Sequence, residues 1–201
     1  MLDGRLKTYE ILLASGSPRR KELMEQLGLP FRVVRTRHGE ETYPSGLSGD
    51  EIAFHLARHK SESFRETLGP RQILLTADTV VWHRGRELGK PGSAEEALAM
   101  LRTLSGDTHQ VYTGVFLRWA DGEKGFVSRT DVRFSRLSED EIRHYVSTCH
   151  PMDKAGAYGI QEWIGHVAVE DIRGSYFNVM GLPVQRVYHE LKQILCQPNC
   201  E

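Results

Sequence analysis

The chain has 201 residues, of which 39% are hydrophobic and 26% are charged, and its formal net charge at pH 7 is −1. These values fit one soluble globular domain with a sizeable hydrophobic core. Because the net charge offers no overall basic field for nonspecific nucleic-acid binding, any site for a polyanion has to be local. We expect a single domain over residues 1–201, with 196–201 as a disordered tail, and no nucleic-acid partner.

The cellular location is predicted from what the sequence lacks. The N-terminal residues do not form the long apolar stretch of a signal peptide, and no run approaches the length of a membrane span. We therefore expect a cytoplasmic protein with no membrane partner. The three cysteines, Cys149, Cys196 and Cys200, are odd in number and have no CxxC spacing. Free thiols are favoured over a disulfide framework or a zinc site.

The segment from Leu13 to Arg20 predicts a strand, a turn of small residues and a helix start. Ser17 is a favourable N-cap, and a proline suits the first helical position, so a helix is expected over Pro18–Leu27. Gly28 is expected to end that helix in a left-handed conformation.

The same turn predicts an anion site. Free backbone N–H groups and the positive end of the helix dipole point into it. Arg19 and Arg20 follow, and each guanidinium is a planar fork of donors suited to phosphate oxygens. We assign both arginines, together with Ser15 and Ser17, to phosphate binding. An ordinary strand–turn–helix junction with two solvated arginines remains the alternative.

Helical and extended patterns alternate along the rest of the chain. The next predicted elements are a strand over 31–35, a polar loop over 36–49, a helix opened by the capping pair Ser48 and Glu51, a buried strand over 73–77 followed by Asp78-Thr79, and a tight turn over 85–89. The later elements are a helix capped by Ser93 and Glu96, a hairpin of 110–119 with 125–134, a helix capped by Ser138 and Glu141, and a last helix over 184–195. This alternation predicts an α/β fold, with a mixed central sheet and flanking helices.

Asp78 is the candidate catalytic carboxylate. It stands where an apolar run ends, so it is expected to be partly desolvated while facing a cleft. Such a carboxylate can act as a general base or hold a divalent cation, although a turn-forming aspartate would look the same. Glu40 and Glu41 lie on the polar loop and could supply a second metal ligand, but adjacent loop glutamates are usually solvated.

Two lysines and one glycine-rich segment complete the candidates. Isolated lysines usually face solvent, but Lys60 lies on a helix face and Lys90 is restricted by the proline that follows it. The small residues in 153–161 would allow close approach of a ligand to the backbone. Gln161 carries both a donor and an acceptor, which suits the edge of a base. The alternative is a loop that only turns the chain. The signatures of P-loop NTPases and of dinucleotide-binding folds are absent from the sequence.

Five blocks in this order resemble the Maf family of nucleotide pyrophosphatases, whose fold is similar to that of the inosine-triphosphate pyrophosphatases. The blocks are residues 13–20, 77–81, 88–91, 153–161 and 176–183. The resemblance implies hydrolysis of a nucleoside triphosphate between its α- and β-phosphates. It identifies Asp78 as the proton acceptor, and Arg19, Thr79 and Gln161 as positions that determine specificity.

The resemblance also implies a metal site and a phosphate site. Glu40 matches the acidic loop residue of the family, with Glu41 as a one-residue alternative, and it would hold Mg²⁺ (or Mn²⁺ in its place) together with Asp78. Lys60 and Lys90 match the lysines that face the phosphates. A homodimer is implied as well. A nucleotide-binding regulator of cell division, without significant turnover, is the alternative function.

The form of the block over 153–161 looks like the branch of the family that acts on dTTP and UTP. The sister branch, which favours 7-methyl-GTP, lacks the glutamine. The chain departs from the family pattern directly after Gln161. The family usually has a glycine there, whereas this sequence has Glu162 followed by Trp163. This departure predicts a negative charge and a large ring beside the base site.

Overall fold

The computed structural model describes residues 4, 6–35 and 42–195, which form one mixed sheet with helices on both faces. The strands are β1 Glu10–Leu13, β2 Phe31–Val33, β3 Gln72–His83, β4 Arg86–Leu88, β5 Thr108–Trp119, β6 Gly122–Phe134 and β7 Val169–Arg173. The helices are α1 Pro18–Leu27, α2 Gly49–Glu62, α3 Ala94–Leu104, α4 Glu139–Cys149, α5 Trp163–Ala168, α6 Tyr176–Met180 and α7 Val184–Leu195. The predicted α/β class is confirmed. In the described part of the chain, no helix has the length and apolar character needed to cross a membrane.

The strand order is β2-β1-β3-β5-β6-β7, with β4 added at the edge of β3. Strands β2, β1 and β3 are parallel, and the other pairs are antiparallel. On one edge of β3, β1 pairs with Gln72–Leu75 and β4 pairs with Val81–His83. Among the described residues, no strand pairs with 76–80 on that edge. This interval, which we call the sheet gap, exposes the middle of β3 to a cleft.

Helix α2 covers one face of the sheet and lies close to β3 and β5. The Thr76 hydroxyl donates to the Ala57 carbonyl at 2.7 Å, which ties β3 to the helix. A methyl group at Gly114 of β5 would lie 2.1 Å from the Ala53 carbonyl oxygen. The absence of a side chain at Gly114 therefore allows α2 to approach closely enough to bring Lys60 to the sheet gap.

The main hydrophobic core covers the opposite face. It is formed by side chains from the central strands together with those of α3, α4 and α7. Its members include Leu13, Leu75, Val81, Leu101, Leu104, Val115, Phe134, Tyr145 and Leu191. Apolar side chains at helical spacing in α3, α4 and α7 form part of this core. Because successive side chains of a strand point to opposite faces, β3 contributes to both sides.

Several predicted elements are confirmed at their boundaries. Helix α1 spans Pro18–Leu27 and ends at Gly28, whose φ is 69°. The hydroxyls of Ser93 and Ser138 accept the backbone N–H of the residue three positions later. Residues 42–48 have no helix or strand, as expected for the polar loop, while 36–41 and the predicted tail 196–201 lie outside the described residues.

Other boundaries were wrong. The buried strand predicted over 73–77 continues to His83, because β5 pairs with it through Trp82. Asp78 therefore lies in mid-strand, and not at a strand end. The tight turn predicted over 85–89 is confined to Arg84 and Gly85, which have φ values of 48° and 80° and join β3 to the short strand β4. A two-residue turn of this conformation matches the twist of paired strands.

The remaining differences concern short elements. The strand predicted over 31–35 ends at Val33. The long hairpin is confirmed, but Trp119 pairs with Gly122, so its turn is only two residues long. Helices α5 and α6 and strand β7 were not predicted. Each has six residues or fewer, which is too short for a periodic pattern to stand out.

Candidate active site

A cleft of about 920 Å³ opens at the sheet gap. It contains every candidate site residue that lies in the described part of the chain. These residues are Ser15, Ser17, Arg19, Arg20, Lys60, Asp78, Thr79, Lys90 and Gln161. They come from the turn after β1, from α2, from β3, from the loop after β4 and from the segment before α5. The fold thus gathers positions that are up to 146 residues apart in sequence (15 to 161).

Asp78 and Lys60, which both line the cleft, form an ion pair. Asp78 is 8% exposed, and its carboxylate contacts the Lys60 ammonium. Its neighbour on β5 is Gly114, so the sheet and α2 together define the position of the carboxylate. A buried carboxylate that faces a polar cleft beside a cation has the features of a general base or of a metal ligand.

Arg20 connects three parts of the cleft wall. Its guanidinium donates to the Gly181 carbonyl at 2.8 Å, to the Thr79 hydroxyl at 3.0 Å and to the Ser15 hydroxyl at 3.3 Å. These bonds join the turn after β1 to β3 and to the end of α6. Although Arg20 lines the cleft as predicted, these donors are used to hold protein groups in place.

The expected capping bond of Ser17 is not formed. Ser17 occupies the N-cap position, but its side chain makes no capping hydrogen bond. Instead, the Ser15 hydroxyl accepts the Ser17 backbone N–H at 3.2 Å. Ser15 therefore shapes the turn, because the same hydroxyl also accepts from Arg20.

Thr79 belongs to a buried network of polar groups. Its hydroxyl lies 3.0 Å from that of Thr113, which donates to the Asn178 carbonyl at 3.1 Å. The Asn178 amide donates to the Val111 carbonyl and to the Thr130 hydroxyl, both at 3.0 Å. This network holds α6 against the sheet and places Thr79 on the side of β3 opposite to Asp78.

Arg19 takes part in a chain of ion pairs. Its guanidinium lies 2.8 Å from one oxygen of Asp153, whose other oxygen lies 2.6 Å from the Lys154 ammonium. Burial alone would raise the pKa of Asp153, but the hydrogen bonds from Lys154 and Arg19 outweigh it and lower that pKa to about 2. Lys154 lines the cleft as well, and its side chain is only 9% exposed.

Gln161 lines the cleft and carries an unpaired acceptor. Its Oε1 atom is buried and has no hydrogen-bond partner among the described residues. The Glu162 carboxylate and the Trp163 ring, which the sequence predicts beside the base site, do not line the cleft. The Glu162 carboxylate contacts Tyr145 and Lys154. The Trp163 ring packs edge-on against His144, with ring centroids 5.0 Å apart.

An aromatic wall supports the same region. Tyr158 lines the cleft, and its hydroxyl shares a hydrogen bond of 2.7 Å with Nε2 of His109. Burial, with a further contribution from the nearby His83, lowers the pKa of His109 to about 3. The ring is therefore neutral near pH 7, and it supports Tyr158 without adding a charge behind the cleft.

Sequence reasoning missed several polar residues that line the cleft, among them Lys154, Tyr43 and Glu87. Lys154 lay within a predicted block but was not singled out. Tyr43 and Glu87 contact each other, and the hydrogen bond to Glu87, followed by burial, raises the pKa of Tyr43 to about 12. Glu87 lies on β4 opposite Trp82. Neither has a local signal, since Tyr43 stands in a polar loop and Glu87 in a segment that resembles a turn.

The predicted metal ligands are described only in part. Asp78 lies in the cleft, whereas Glu40 and its alternative Glu41 lie outside the described residues. Within residues 4, 6–35 and 42–195, no three His, Cys, Asp or Glu side chains come together in a group that could hold a metal ion.

Comparison with known proteins identifies the family. A family model described as "Maf-like protein" matches residues 10–194. A protein of Bacteroides fragilis named "dTTP/UTP pyrophosphatase" is 54% identical over 189 residues, which cover 94% of this chain and 98% of that protein. A protein of the same name from Bacteroides thetaiotaomicron is 51% identical over 191 residues, covering 95% and 99% of the two chains.

Solved structures are more distant. The Ham1 protein of Coxiella burnetii superposes with a TM-score of 0.49 at 17% identity, over 92% of this chain and 99% of that chain. The family assignment rests on the sequence matches alone. Because one family model covers 10–194 and relatives are more than 50% identical over nearly their whole length, the chain belongs to the Maf family.

Proposed function

We propose that this protein is a nucleoside triphosphate pyrophosphatase that hydrolyses dTTP and UTP to the monophosphate and pyrophosphate. The observation that carries the proposal is the convergence, in one cleft, of a carboxylate, several cations and an unpaired amide acceptor. Relatives that are about half identical over nearly the whole chain bear the name dTTP/UTP pyrophosphatase. The arrangement has the polar groups that a triphosphate and a pyrimidine base require.

We assign the attack on phosphorus to a water molecule activated by Asp78. The carboxylate takes a proton from that water, whose oxygen bonds to the α-phosphorus. The bond between this phosphorus and the α–β bridging oxygen breaks, and pyrophosphate leaves. Lys60, which contacts Asp78, orients the carboxylate and adds positive charge beside the triphosphate.

Cations on the cleft wall are suited to binding the phosphates. Arg19 and Lys90 both line the cleft and come from opposite sides of the sheet gap. Arg20 supports them by holding Ser15 and Thr79 in position. Since phosphoryl transfer depends mainly on positioning and charge stabilisation, such a frame of cations is what the reaction needs.

A divalent cation, which we expect to be Mg²⁺ with Mn²⁺ as a substitute, fits the chemistry of the cleft. Mg²⁺ is commonly held by one or two carboxylates together with substrate phosphates, and Asp78 supplies one carboxylate in an open cleft. Glu40 is the second proposed ligand. When bound, the cation would screen the charge that develops on the pyrophosphate leaving group.

Recognition of the base is assigned to Gln161, with Arg19 and Thr79 as the other specificity positions. The N3–H group of thymine or uracil is a donor that matches the unpaired Oε1 of Gln161. The buried acceptor would then gain a partner in the complex. Leaving it unpaired costs about 1–3 kcal/mol, so the match favours these bases.

The test is pyrophosphate release with Mg²⁺ from dTTP, UTP, CTP, GTP, ATP and 7-methyl-GTP. We expect the fastest release from dTTP and UTP. Release from another nucleotide alone would contradict the substrate assignment while retaining the reaction. Tight nucleotide binding without any release would contradict the enzyme and support the regulatory alternative.

We also propose a homodimer, which the family resemblance implies, and a cytoplasmic location, which the sequence predicts. Light scattering of the purified protein should give twice the mass of one chain, and a monomer mass would contradict the dimer. Fractionation of the source cells should place the protein with soluble cytoplasmic markers. Recovery with secreted or membrane fractions would contradict the location.

A further inference from the structure

Glu162 follows the base-reading candidate directly, but its carboxylate is engaged within the protein. One oxygen lies 3.0 Å from the Lys154 ammonium, and the other accepts a hydrogen bond from the Tyr145 hydroxyl. Its side chain is 23% exposed, whereas that of Lys154 is 9% exposed. A carboxylate with two partners, one of them a buried cation, has a defined position.

The Tyr145 hydroxyl connects this carboxylate to the backbone beside Gln161. Tyr145 is fully buried, and its oxygen accepts the Gly159 backbone N–H at 3.1 Å. Burial, together with the hydrogen bond to Glu162, raises the pKa of Tyr145, so the hydroxyl keeps its proton and donates it to the carboxylate. Glu162 also bonds to the same residue directly, since its N–H donates to the Gly159 carbonyl at 2.9 Å.

Gln161 and Glu162 pack over the same α-carbon. A methyl group at Gly159 would lie 2.9 Å from Cδ of Glu162, 3.1 Å from its Oε1 and 3.1 Å from Nε2 of Gln161. The Glu162 carboxylate and the Gln161 amide thus both lie beside the Gly159 α-carbon.

The same carboxylate balances charge along the cleft wall. Lys154 lies between Asp153 and Glu162, and Asp153 in turn holds Arg19. A buried ammonium needs close carboxylates to offset the loss of its hydration. Glu162 therefore ends a chain of ion pairs that begins at Arg19, and it links two of the positions to which we assign substrate choice.

The orientation of a glutamine amide can distinguish thymine and uracil from cytosine. Thymine and uracil carry a hydrogen on N3, whereas N3 of cytosine is an acceptor. A glutamine amide that rotates freely can present either its oxygen or its NH₂ group, and so can pair with both kinds of base. An amide held with its oxygen toward the base accepts from N3–H and repels the lone pair of cytosine N3.

We propose that Glu162 is a positioning residue that fixes the Gln161 amide and thereby favours thymine and uracil nucleotides over cytosine nucleotides. This inference deepens the proposed function and rests on it. Glu162 is not among the residues that line the cleft. It acts on substrate choice through Tyr145, Lys154 and the packing over Gly159.

The test compares kcat and KM for pyrophosphate release from dTTP and dCTP in Glu162→Ala. We expect the ratio of kcat/KM for dTTP over dCTP to fall about tenfold, the effect of one lost hydrogen-bond preference. Most of the change should lie in KM for dTTP, because Asp78 and Lys60 are untouched. Glu162→Gln keeps the bond from Tyr145 but loses the charge that faces Lys154, and should restore part of the ratio.

Glu170→Ala is the matched control. Glu170 lies on β7, and its carboxylate forms an exposed ion pair with Arg133 at 2.8 Å. This variant should therefore retain the wild-type ratio. Tyr145→Phe removes the hydroxyl between Glu162 and Gly159 and provides a second route to the same prediction. Its ratio should fall as well, and it serves as the deciding variant if Glu162→Ala does not fold.

An unchanged ratio in folded Glu162→Ala or Tyr145→Phe would overturn the inference. An equal loss of kcat/KM for both nucleotides would overturn it too, because that result indicates only a structural role. Wild-type protein that releases no pyrophosphate from dTTP or UTP would overturn the proposed function, and the inference with it. Wild-type turnover with an unchanged variant ratio would overturn the inference alone.

Discussion

The two ends of the cleft are held in place by different interactions. At the Asp78 end, comprising Asp78, Thr79 and Lys60, the positions follow from strand register and from the close packing of α2 on the sheet. At the Gln161 end, comprising Asp153 through Glu162, side chains hold one another through ion pairs and the Tyr145 hydroxyl. The first end changes only if the sheet changes. The second can change through single side-chain substitutions, which makes it the natural place for substrate preference to diverge.

The largest expected effect is at the Asp78 end. Asp78→Asn keeps the size of the side chain but cannot accept the proton of water, so kcat should fall by about 10²–10⁴-fold. Preference among nucleotides should stay unchanged, because the Gln161 end is intact. The measurement is steady-state pyrophosphate release, with Asp121→Asn in the exposed hairpin turn as control. Full activity of folded Asp78→Asn would contradict the assignment of Asp78 as the general base.

The packing of α2 gives the next test. Gly114→Ala places a methyl group against the Ala53 carbonyl at 2.1 Å, so the helix has to shift. Overpacking of this kind should lower the free energy of unfolding by about 3 kcal/mol and reduce turnover by moving Lys60. Urea unfolding measures the stability. Gly4→Ala is the control, since nothing lies within 4 Å of the added carbon there. Equal stability of the two variants would show that register and packing do not define this end.

Arg20 joins the sheet to the turn after β1, and its substitution tests that connection. Arg20→Lys keeps the charge but loses the planar fork that reaches Ser15, Thr79 and Gly181. We expect a loss of about 2 kcal/mol in the free energy of unfolding, because acceptors in the cleft wall lose their donors. Arg173→Lys, whose side chain is 83% exposed, should change it by less than about 0.5 kcal/mol. An unchanged free energy of unfolding in Arg20→Lys would mean that these hydrogen bonds do not stabilise the cleft wall.

The sequence predicted which residues line the cleft, but it did not predict the strand pairing and the contacts that position them. The motifs that contain Asp78, Lys90 and Gln161 are local, and all three residues line the cleft. The mid-strand position of Asp78 depends on pairing with β5, more than 30 residues away, for which residues 73–79 carry no signal. The bond from Arg20 to Gly181, 161 positions apart, is likewise a property of the assembled fold.

Residues missed at the site show the same limit. Glu87 faces the cleft because β4 pairs with β3, and a three-residue strand has too few positions to show an alternating pattern. The capping prediction at Ser17 was right in position and wrong in its hydrogen bond, since Ser15 accepts the N–H that shapes the turn. Two hydroxyls two residues apart cannot be distinguished by helix-start rules alone.

The smallest expected effect is at the Gln161 end and depends on pH. The pKa of Asp153 is about 2 in the folded protein against an ordinary 3.8, so folding favours its charged form. Its contribution to stability is complete above about pH 4 and is lost as the pH falls through about 2. Because the side chain is 59% exposed, solvent screening limits this contribution to about 0.5–1 kcal/mol. The free energy of unfolding of wild type minus that of Asp153→Asn, measured from about pH 5 to 2, should therefore decrease toward acid. The same difference should be smaller in an Arg19→Gln background, where one of the two cationic partners is gone. A difference that is constant across this range would mean that ion pairs do not hold the Gln161 end, and the contrast with the sheet-built Asp78 end would fail.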